Sequence, residues 1–210
     1  SDLPFYLLQK IIERYNDESL NRLIIDEFYN KMGIDRMRYF PLREFKPDHI
    51  IPTENDTIWR KQLLKGYVHD QGVALLGGVG GHAGLFANAD AVAKFMQMYL
   101  NGGSYGDAQL LKPETINKFN TCYYCEDDVR RGIGFDKPQL EDVGPTCGCL
   151  SMKSFGHSGF TGTYAWADPD EDIVYIFLSN RIHPDMNNRK LIEENIRTEI
   201  QRTIYDYIEY

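Results

Sequence analysis

The sequence lacks the features of several large classes of protein. It contains no run of about 18 apolar residues, the length that a membrane-spanning helix needs. It has no internal repeat, no low-complexity segment and no G-K-[ST] triplet of a phosphate-binding loop. Positive charge is also scarce, because 23 Lys and Arg residues stand against 31 Asp and Glu residues, for a net charge of -8. This balance argues against nucleic acid or an anionic membrane surface as a partner.

The start of the sequence lacks two further features. It has neither an initiator methionine nor a signal peptide, and Pro4 stands in the first turn of a predicted helix. Leu8, Ile11, Ile12 and Tyr15 then follow at the spacing of one helix face. We therefore expect this chain to be a piece of a larger protein.

The composition that remains is that of a globular domain, with 42% hydrophobic and 13% aromatic residues. Apolar periodicity and capping residues predict five helices. They cover residues 3–15, residues 19–31 with Gly33 as the end signal, a stretch that Asn88 caps and that stops at Gly102-Gly103, a short stretch after Pro113, and residues 191–208. Residues 34–66 contain Pro41, Pro47 and Pro52 and predict a long excursion with little regular structure, whereas a strand is predicted from Arg131.

A β-hairpin is predicted within residues 160–180, with a turn at Asp168-Pro169-Asp170. Every residue of its second strand, from Ile173 to Leu178, is apolar, so both faces of that strand are apolar. This pattern indicates a central strand covered by helices on both sides, and the last helix is the natural cover on one side. The expected class is an α+β layered domain.

The candidate site lies just ahead of this hairpin, at His157-Ser158-Gly159. A His next to a Ser suggests nucleophilic catalysis, but adjacent strand residues point to opposite faces, so this pair cannot be base and nucleophile to each other. The G-x-S-x-G nucleophile elbow also fails, because Phe160 stands where the second glycine should be. On spacing alone, the alternative is a glycine-rich strand entry with a partly exposed histidine.

Two segments carry a family resemblance. "FGHSGFTGTYAWADP…DIVYIFLSNR" resembles the third motif and hairpin of the penicillin-binding-protein-like serine hydrolases, which include the class C β-lactamases. "GGVGGHAGLFANADAVAKFMQMYLNGG", with "GYVHDQG" ahead of it, resembles the preceding loop and helix of the same family. The resemblance implies a β-lactamase/transpeptidase-like fold, an antiparallel sheet flanked by helices. It also implies that residues 1–210 form a single partial domain, truncated at the N-terminus.

The resemblance implies roles for particular residues. His157 would be the cation of the triplet that Gly159 closes, and the backbone N–H of Phe160 would supply half of an oxyanion hole. Ser1-Asp2 would be the last two residues of the second motif, which makes Asp2 a catalytic-site residue. Ser158 and Thr161 would line the substrate. His82 is predicted to line it as well, because the glycines on both sides let the backbone approach a ligand closely. No cofactor and no metal are implied.

The first motif of that family is missing. It requires S-x-x-K, a serine that is acylated and a lysine that assists its deprotonation, yet no serine in the sequence is followed three residues later by lysine. We therefore expect the nucleophile to lie in a missing N-terminal segment that acts in cis, and this chain to be inactive alone.

Two other functions compete with this one. A non-catalytic module that keeps a ligand groove is the first. The second is a nucleotide-binding domain, because Gly78 to Ala83 fit G-x-G-x-x-A, although no clear βαβ unit surrounds them. A parallel sheet with residues 77–84 at a strand–helix turn would favour the nucleotide-binding function.

The remaining chemistry-bearing residues leave alternatives open. Cys122, Cys125, Cys147 and Cys149 could form two disulfides, stay reduced or hold zinc. The pair His69-Asp70 could line a substrate or simply make local loop hydrogen bonds.

The resemblance extends to a subgroup whose domain follows a family 3 β-N-acetylglucosaminidase in one bacterial polypeptide. It implies a place in the periplasm or cell envelope and a small-molecule or peptidoglycan-derived substrate.

Overall fold

The computed structural model describes residues 2–127, 129–139 and 144–208. The chain divides into two compact units. The first comprises Ser1–Ala91 and Ile182–Asn187, and the second comprises Val92–Arg181 and Asn188–Tyr210. None of the helices in the described part is both long and apolar enough to cross a bilayer.

The first unit opens with the two predicted helical segments. Helix α1 (Leu3–Asn16) begins after Asp2 with Pro4 in its first turn. The second segment is one continuous helical stretch of α2 (Leu20–Ile24), a π turn (Ile25–Tyr29) and α3 (Asn30–Met32). It ends as predicted at Gly33, which adopts the left-handed conformation with φ 62°.

The prediction of little regular structure over 34–66 is wrong in part. Strands β2 (Pro52–Asp56) and β3 (Gln62–Lys65) form an antiparallel hairpin there. Its turn is built by Asp56, whose carboxylate accepts hydrogen bonds from the backbone N–H groups of Ile58, Trp59 and Arg60. Three prolines obscured this turn, because the signal for it comes from one aspartate and not from strand periodicity.

The other elements of the first unit are short. Strand β1 (Met37–Arg38) pairs antiparallel with β4 (Phe86–Ala87), and α4 (Gln71–Leu75) lies between β3 and β4 in the chain. The 77–84 glycines thus follow a helix and precede an antiparallel strand. Because every described ladder is antiparallel, the nucleotide-binding alternative lacks the parallel sheet that it requires.

Helix α5 (Ala89–Leu100) begins as predicted with Asn88, whose Oδ1 accepts the backbone N–H of Ala91 at 3.0 Å. A small hairpin of β5 (Ser104–Tyr105) and β6 (Ala108–Gln109) follows, and then the predicted helix α6 (Pro113–Asn120).

The strand predicted from Arg131 is wrong. Only isolated bridges join Arg131 to Asp136 and Asp136 to Gly156. Gly134 adopts φ 117°, and the Gly132 N–H donates to the Phe135 carbonyl, so the segment makes a tight turn.

The second unit is built on a three-stranded antiparallel sheet in the order β7-β8-β9. Its strands are β7 (Phe155–Ser158), β8 (Tyr164–Asp168) and β9 (Ile173–Phe177). The predicted hairpin is confirmed as β8 and β9, but within the described residues the central strand is β8 and not β9. The apolar pattern of β9 reflects coverage on both faces, which does not require a second neighbouring strand.

Helices cover the two faces of this sheet. On one face, a buried cluster of Tyr164, Trp166 and Tyr175 packs with Tyr205 and Ile204 of α8 (Ile196–Ile208). On the other, Met96 of α5 packs with Phe155 and Ala167.

The final helix is interrupted. Asn195 takes a left-handed conformation with φ 52°, which separates α7 (Lys190–Glu193) from α8. The cover by the last helix is confirmed, but the continuous helix over 191–208 is not.

Candidate active site

The triplet His157-Ser158-Gly159 runs along and just beyond β7, at the edge of the sheet. The backbone N–H and carbonyl of Gly156 point away from β8. The N–H donates to the Asp136 carbonyl at 3.1 Å, and the Gly156 carbonyl accepts the Asp136 N–H at 2.8 Å. In an antiparallel ladder the backbone groups of successive residues point alternately toward the neighbouring strand and away from it. The backbone groups of His157 therefore face β8, and those of Ser158 point away from β8, as those of Gly156 do. The edge can therefore present both backbone groups and a side chain to a ligand.

Gly156 is required where the strand crosses an indole. A Cβ atom at this position would lie 2.4 Å from Cγ of Trp166 and 2.3 Å from the Ala165 carbonyl oxygen. The strand can approach the buried Trp166 only without a side chain at this point, and this contact fixes where the triplet begins.

The His157 side chain is half exposed and held by two contacts. Its Nδ1 lies 2.8 Å from the carbonyl oxygen of Ser158. A carbonyl can only accept, so Nδ1 carries the proton. Its Nε2 then faces the carboxylate of Asp136 at 3.8 Å. Nδ1 thus contacts the backbone carbonyl of Ser158 and not the Ser158 hydroxyl.

Asp136 is a residue that the sequence analysis missed. Arg131 also contacts its carboxylate, through Nε at 2.6 Å and through the terminal nitrogen at 2.5 Å. Arg131, Asp136 and His157 thus form a row of alternating charge when the histidine is protonated. The strand predicted from Arg131 hid this row, because the turn at Gly134 is what brings the three side chains together.

The turn after the triplet is anchored by Arg181. Its guanidinium lies 4.6 Å from the centre of the Phe160 ring, and its Nε donates to the Phe160 carbonyl at 2.9 Å. The Arg181 backbone N–H donates to the carbonyl of Thr161 at 2.8 Å, while the Gly159 N–H donates to Thr163 at 2.8 Å. These bonds hold the backbone of the proposed oxyanion-hole residue in a defined turn.

The other predicted site residues lie in the first unit. Asp2 precedes α1, and His82 lies in the glycine-rich loop, with its Nε2 3.8 Å from Asp2 Oδ1. Asp70 joins them, at 3.9 Å from the same nitrogen. The hydroxyl of Tyr6 donates to Asp70 at 3.4 Å. Partial burial and the carboxylates of Asp70 and Asp2 raise the pKa of Tyr6.

The loop that carries His82 is fastened from two sides. The hydroxyl of Tyr39 donates to the Gly80 carbonyl at 2.5 Å, and Gln9 of α1 donates to the Val79 carbonyl at 3.3 Å. Burial raises the pKa of Tyr39 to about 12, so it remains a donor at neutral pH.

His69 and Asp70 have separate roles. His69 lies 2.9 Å from Glu54, which also pairs with Arg60. Asp70 caps α4 by accepting the Val73 N–H at 2.7 Å. Asp70 therefore makes the local hydrogen bond that the sequence offered as an alternative role for it. The second carboxylate oxygen of Asp70 faces His82.

The cysteines are paired within each motif, Cys122 with Cys125 and Cys147 with Cys149. Each disulfide thus joins cysteines that are two or three residues apart, and neither disulfide links the two motifs.

The fold defines a class, the α+β domains with an antiparallel sheet between helices. The family model described as Beta-lactamase matches residues 1–197, and this chain belongs to that family.

Relatives of known name agree with this assignment. A protein of Escherichia coli K12 named "Putative D-alanyl-D-alanine carboxypeptidase" is 36% identical over 196 residues, which are 87% of this chain and 45% of the relative. A protein of the same name from Salmonella enteritidis PT4 is 33% identical over 91% of this chain and 47% of the relative. The chain spans less than half the length of these relatives.

Solved structures support the same fold. A β-lactamase of Mycobacterium bovis matches with TM-score 0.63 at 16% identity, over 98% of this chain and 63% of that one. A penicillin-binding protein homologue of Caulobacter crescentus matches with TM-score 0.56 at 20% identity, over 83% and 50%. These likenesses concern the fold, which is β-lactamase/transpeptidase-like as the resemblance implied.

Proposed function

We propose that this chain carries the substrate-binding edge of a serine acyl hydrolase that acts on a D-alanyl-D-alanine-type peptide, an ester or a β-lactam. The observation that carries the proposal is the half-exposed His157 side chain on β7, next to a Ser158 backbone that points away from β8. A cationic side chain and strand backbone that faces away from the sheet can together hold an acyl substrate that ends in a carboxylate. The names of the relatives support this substrate class, because a D-alanyl-D-alanine peptide has such an end.

The reaction follows from acyl transfer. A serine oxygen attacks the carbonyl carbon, its proton passes to a general base, and the negative oxygen that forms accepts backbone hydrogen bonds, one of them from the N–H of Phe160. The leaving amine or alcohol departs with a proton, and water then hydrolyses the acyl-enzyme. His157 binds the substrate carboxylate in its cationic form.

The proposal requires a Ser–Lys pair from polypeptide outside these 210 residues, since no S-x-x-K occurs within them. The 210-residue chain is therefore inactive alone. Removal of a covalent nucleophile costs several orders of magnitude in rate.

The cell envelope is the proposed location. Two disulfides are typical of proteins that fold in an oxidising compartment. We extend the proposal to an adjoining family 3 β-N-acetylglucosaminidase in the same polypeptide and to peptidoglycan-derived substrates, on the resemblance of the 34–66 excursion and the "GYVHDQG" segment.

A second function is a ligand-binding module without catalysis. The absence of S-x-x-K from the sequence favours it, because the triplet can bind a carboxylate without a nucleophile nearby.

Comparison of the 210-residue chain with the complete gene product tests both proposed functions, the acyl hydrolase and the ligand-binding module. We expect the chain alone to leave nitrocefin and p-nitrophenyl acetate at the background rate. We expect the complete product to be acylated by a fluorescent penicillin at one serine per chain, and replacement of that serine by alanine to abolish turnover. A complete product that binds the penicillin reversibly and is never acylated would establish the binding module instead.

A further inference from the structure

Three ligand-type side chains from distant parts of the sequence meet in the first unit. They are Asp2 before α1, Asp70 at the start of α4 and His82 in the glycine-rich loop. One oxygen of each carboxylate and one nitrogen of the imidazole all lie within 4.8 Å of one another. We call these three residues the Asp2–Asp70–His82 cluster.

Among the described residues, no Lys or Arg side chain balances the charge of the two carboxylates. Within residues 2–127, 129–139 and 144–208, neither Asp2 nor Asp70 has a Lys or Arg nitrogen within 4.0 Å. Oδ1 of Asp70 accepts the Val73 N–H and the Tyr6 hydroxyl, which leaves Oδ2 for the cluster. Two carboxylates this close repel each other unless a cation lies between them.

His82 supplies an independent observation. Its side chain is only 13% exposed, and neither ring nitrogen has a hydrogen-bond partner among the described residues. The ring packs edge-on against Tyr6, with 4.9 Å between ring centres, and lies 5.9 Å from Phe5. A buried ring nitrogen without a partner is costly, and a ligand at Nε2 would remove that cost for one of the two nitrogens.

We propose that the Asp2–Asp70–His82 cluster binds a divalent transition-metal ion, with Zn²⁺ the preferred ion and water completing its coordination. One imidazole nitrogen with two carboxylate oxygens suits Zn²⁺ and Mn²⁺, whereas Mg²⁺ and Ca²⁺ favour oxygen ligands alone. Ligand atoms at about 2.0–2.2 Å from one ion lie roughly 3.3 Å apart. The separations of 3.8 Å between Asp2 and His82 and 3.9 Å between Asp70 and His82 exceed this value by about half an ångström, so binding requires small side-chain movements of both carboxylates toward the imidazole.

Such an ion would link the start of α1 to α4 and to the glycine-rich loop. The proposal concerns metal binding alone and does not depend on acyl transfer, so its failure and that of the proposed function are separable.

The test is a titration of the untagged 210-residue chain, freed of metal with a chelator and with both disulfides intact. Calorimetry with ZnCl₂ is expected to give one saturable equivalent, with MnCl₂ weaker and MgCl₂ without measurable binding. The melting temperature is expected to rise with ZnCl₂ concentration. Co²⁺ is expected to give a visible absorption band that Zn²⁺ displaces.

Variants locate the site. His82→Ala, Asp2→Asn and Asp70→Asn are each expected to weaken Zn²⁺ binding at least tenfold, whereas His49→Ala, which removes an exposed imidazole elsewhere in the unit, leaves it unchanged. Asn at position 70 can still cap α4, so this variant keeps the fold if His82→Ala does not, and circular dichroism checks both. The absence of a saturable Zn²⁺ equivalent, or one that survives in Asp2→Asn and Asp70→Asn, overturns the proposal.

Discussion

The carboxylate of Asp136 lies 3.8 Å from Nε2 of His157. The backbone of Asp136 pairs with Gly156, the residue before the histidine, and the aspartate is therefore held in place beside the ring. With the contact between Nδ1 and the Ser158 carbonyl, this arrangement fixes the position of the imidazole on the edge strand.

The first prediction concerns His157 in the complete enzyme. We expect kcat/KM for a carboxylated substrate to depend on the His157 side chain, whereas kcat/KM for a matched neutral ester changes little when that side chain is removed. His157→Ala is expected to lower kcat/KM about 10- to 100-fold for the carboxylated substrate, because one charge-assisted hydrogen bond is lost. His157→Lys should keep the preference for the carboxylated substrate, because it retains a cation at this position. Equal losses for both substrates in His157→Ala would exclude the carboxylate role.

The second prediction concerns Gln201, which is 1% exposed in α8. Its Oε1 accepts the Cys147 N–H at 3.1 Å and the Tyr164 hydroxyl at 3.0 Å. Gln201→Met leaves two buried donors without an acceptor, and we expect a loss of about 1–3 kcal/mol in the free energy of unfolding by denaturant titration.

A double-mutant cycle separates the two bonds of Gln201. In the Tyr164→Phe background the loss should be smaller, because one of the donors is already gone. Gln62→Met on the exposed side of β3 is the matched control and should change stability by less than about 0.5 kcal/mol. Equal losses with and without the Tyr164 hydroxyl would show that this bond contributes nothing.

The third prediction concerns Lys137, which is 5% exposed and donates to the Lys153 carbonyl at 2.7 Å. Burial, with help from the Arg130 guanidinium, lowers the pKa of Lys137 to about 8. Between that value and the ordinary lysine pKa the unfolded chain binds more protons, so the free energy of unfolding should rise with pH in this window.

The measurement compares wild type with Lys137→Met from pH 7 to 10. The difference in unfolding free energy should move in favour of wild type above about pH 8, by about 1–3 kcal/mol in total. Lys118→Met, at an exposed position, should give a flat difference. If the difference between wild type and Lys137→Met is also independent of pH, the Lys137 amine stays charged in the folded wild-type chain.

The fourth prediction concerns the cysteines. With Cys122–Cys125 and Cys147–Cys149 bonded, intact mass spectrometry of protein made in an oxidising compartment should show four hydrogens fewer than the reduced chain. Peptide mapping should find each bond within its own motif. Crosslinked peptides that join the two motifs would contradict the pairing.

Local sequence signals predicted several elements correctly. Asn88 caps α5, Pro113 opens α6, Gly33 closes the second helical segment, and the apolar run of β9 marks a strand. Each signal acts between residues close in the chain, through a side-chain hydrogen bond, a fixed φ or a side-chain period, so it can be read without the fold.

The sequence by itself thus determined the class of fold, most helices, the β8–β9 hairpin and the triplet that marks the candidate site. Tertiary structure alone decided that β8 is the central strand among those described, that Asp136 stands beside His157, and that Asp2 and Asp70 meet at His82. These relationships join residues that are far apart in the chain. Their energies come from contacts that exist only once the chain has folded, and no local propensity encodes them.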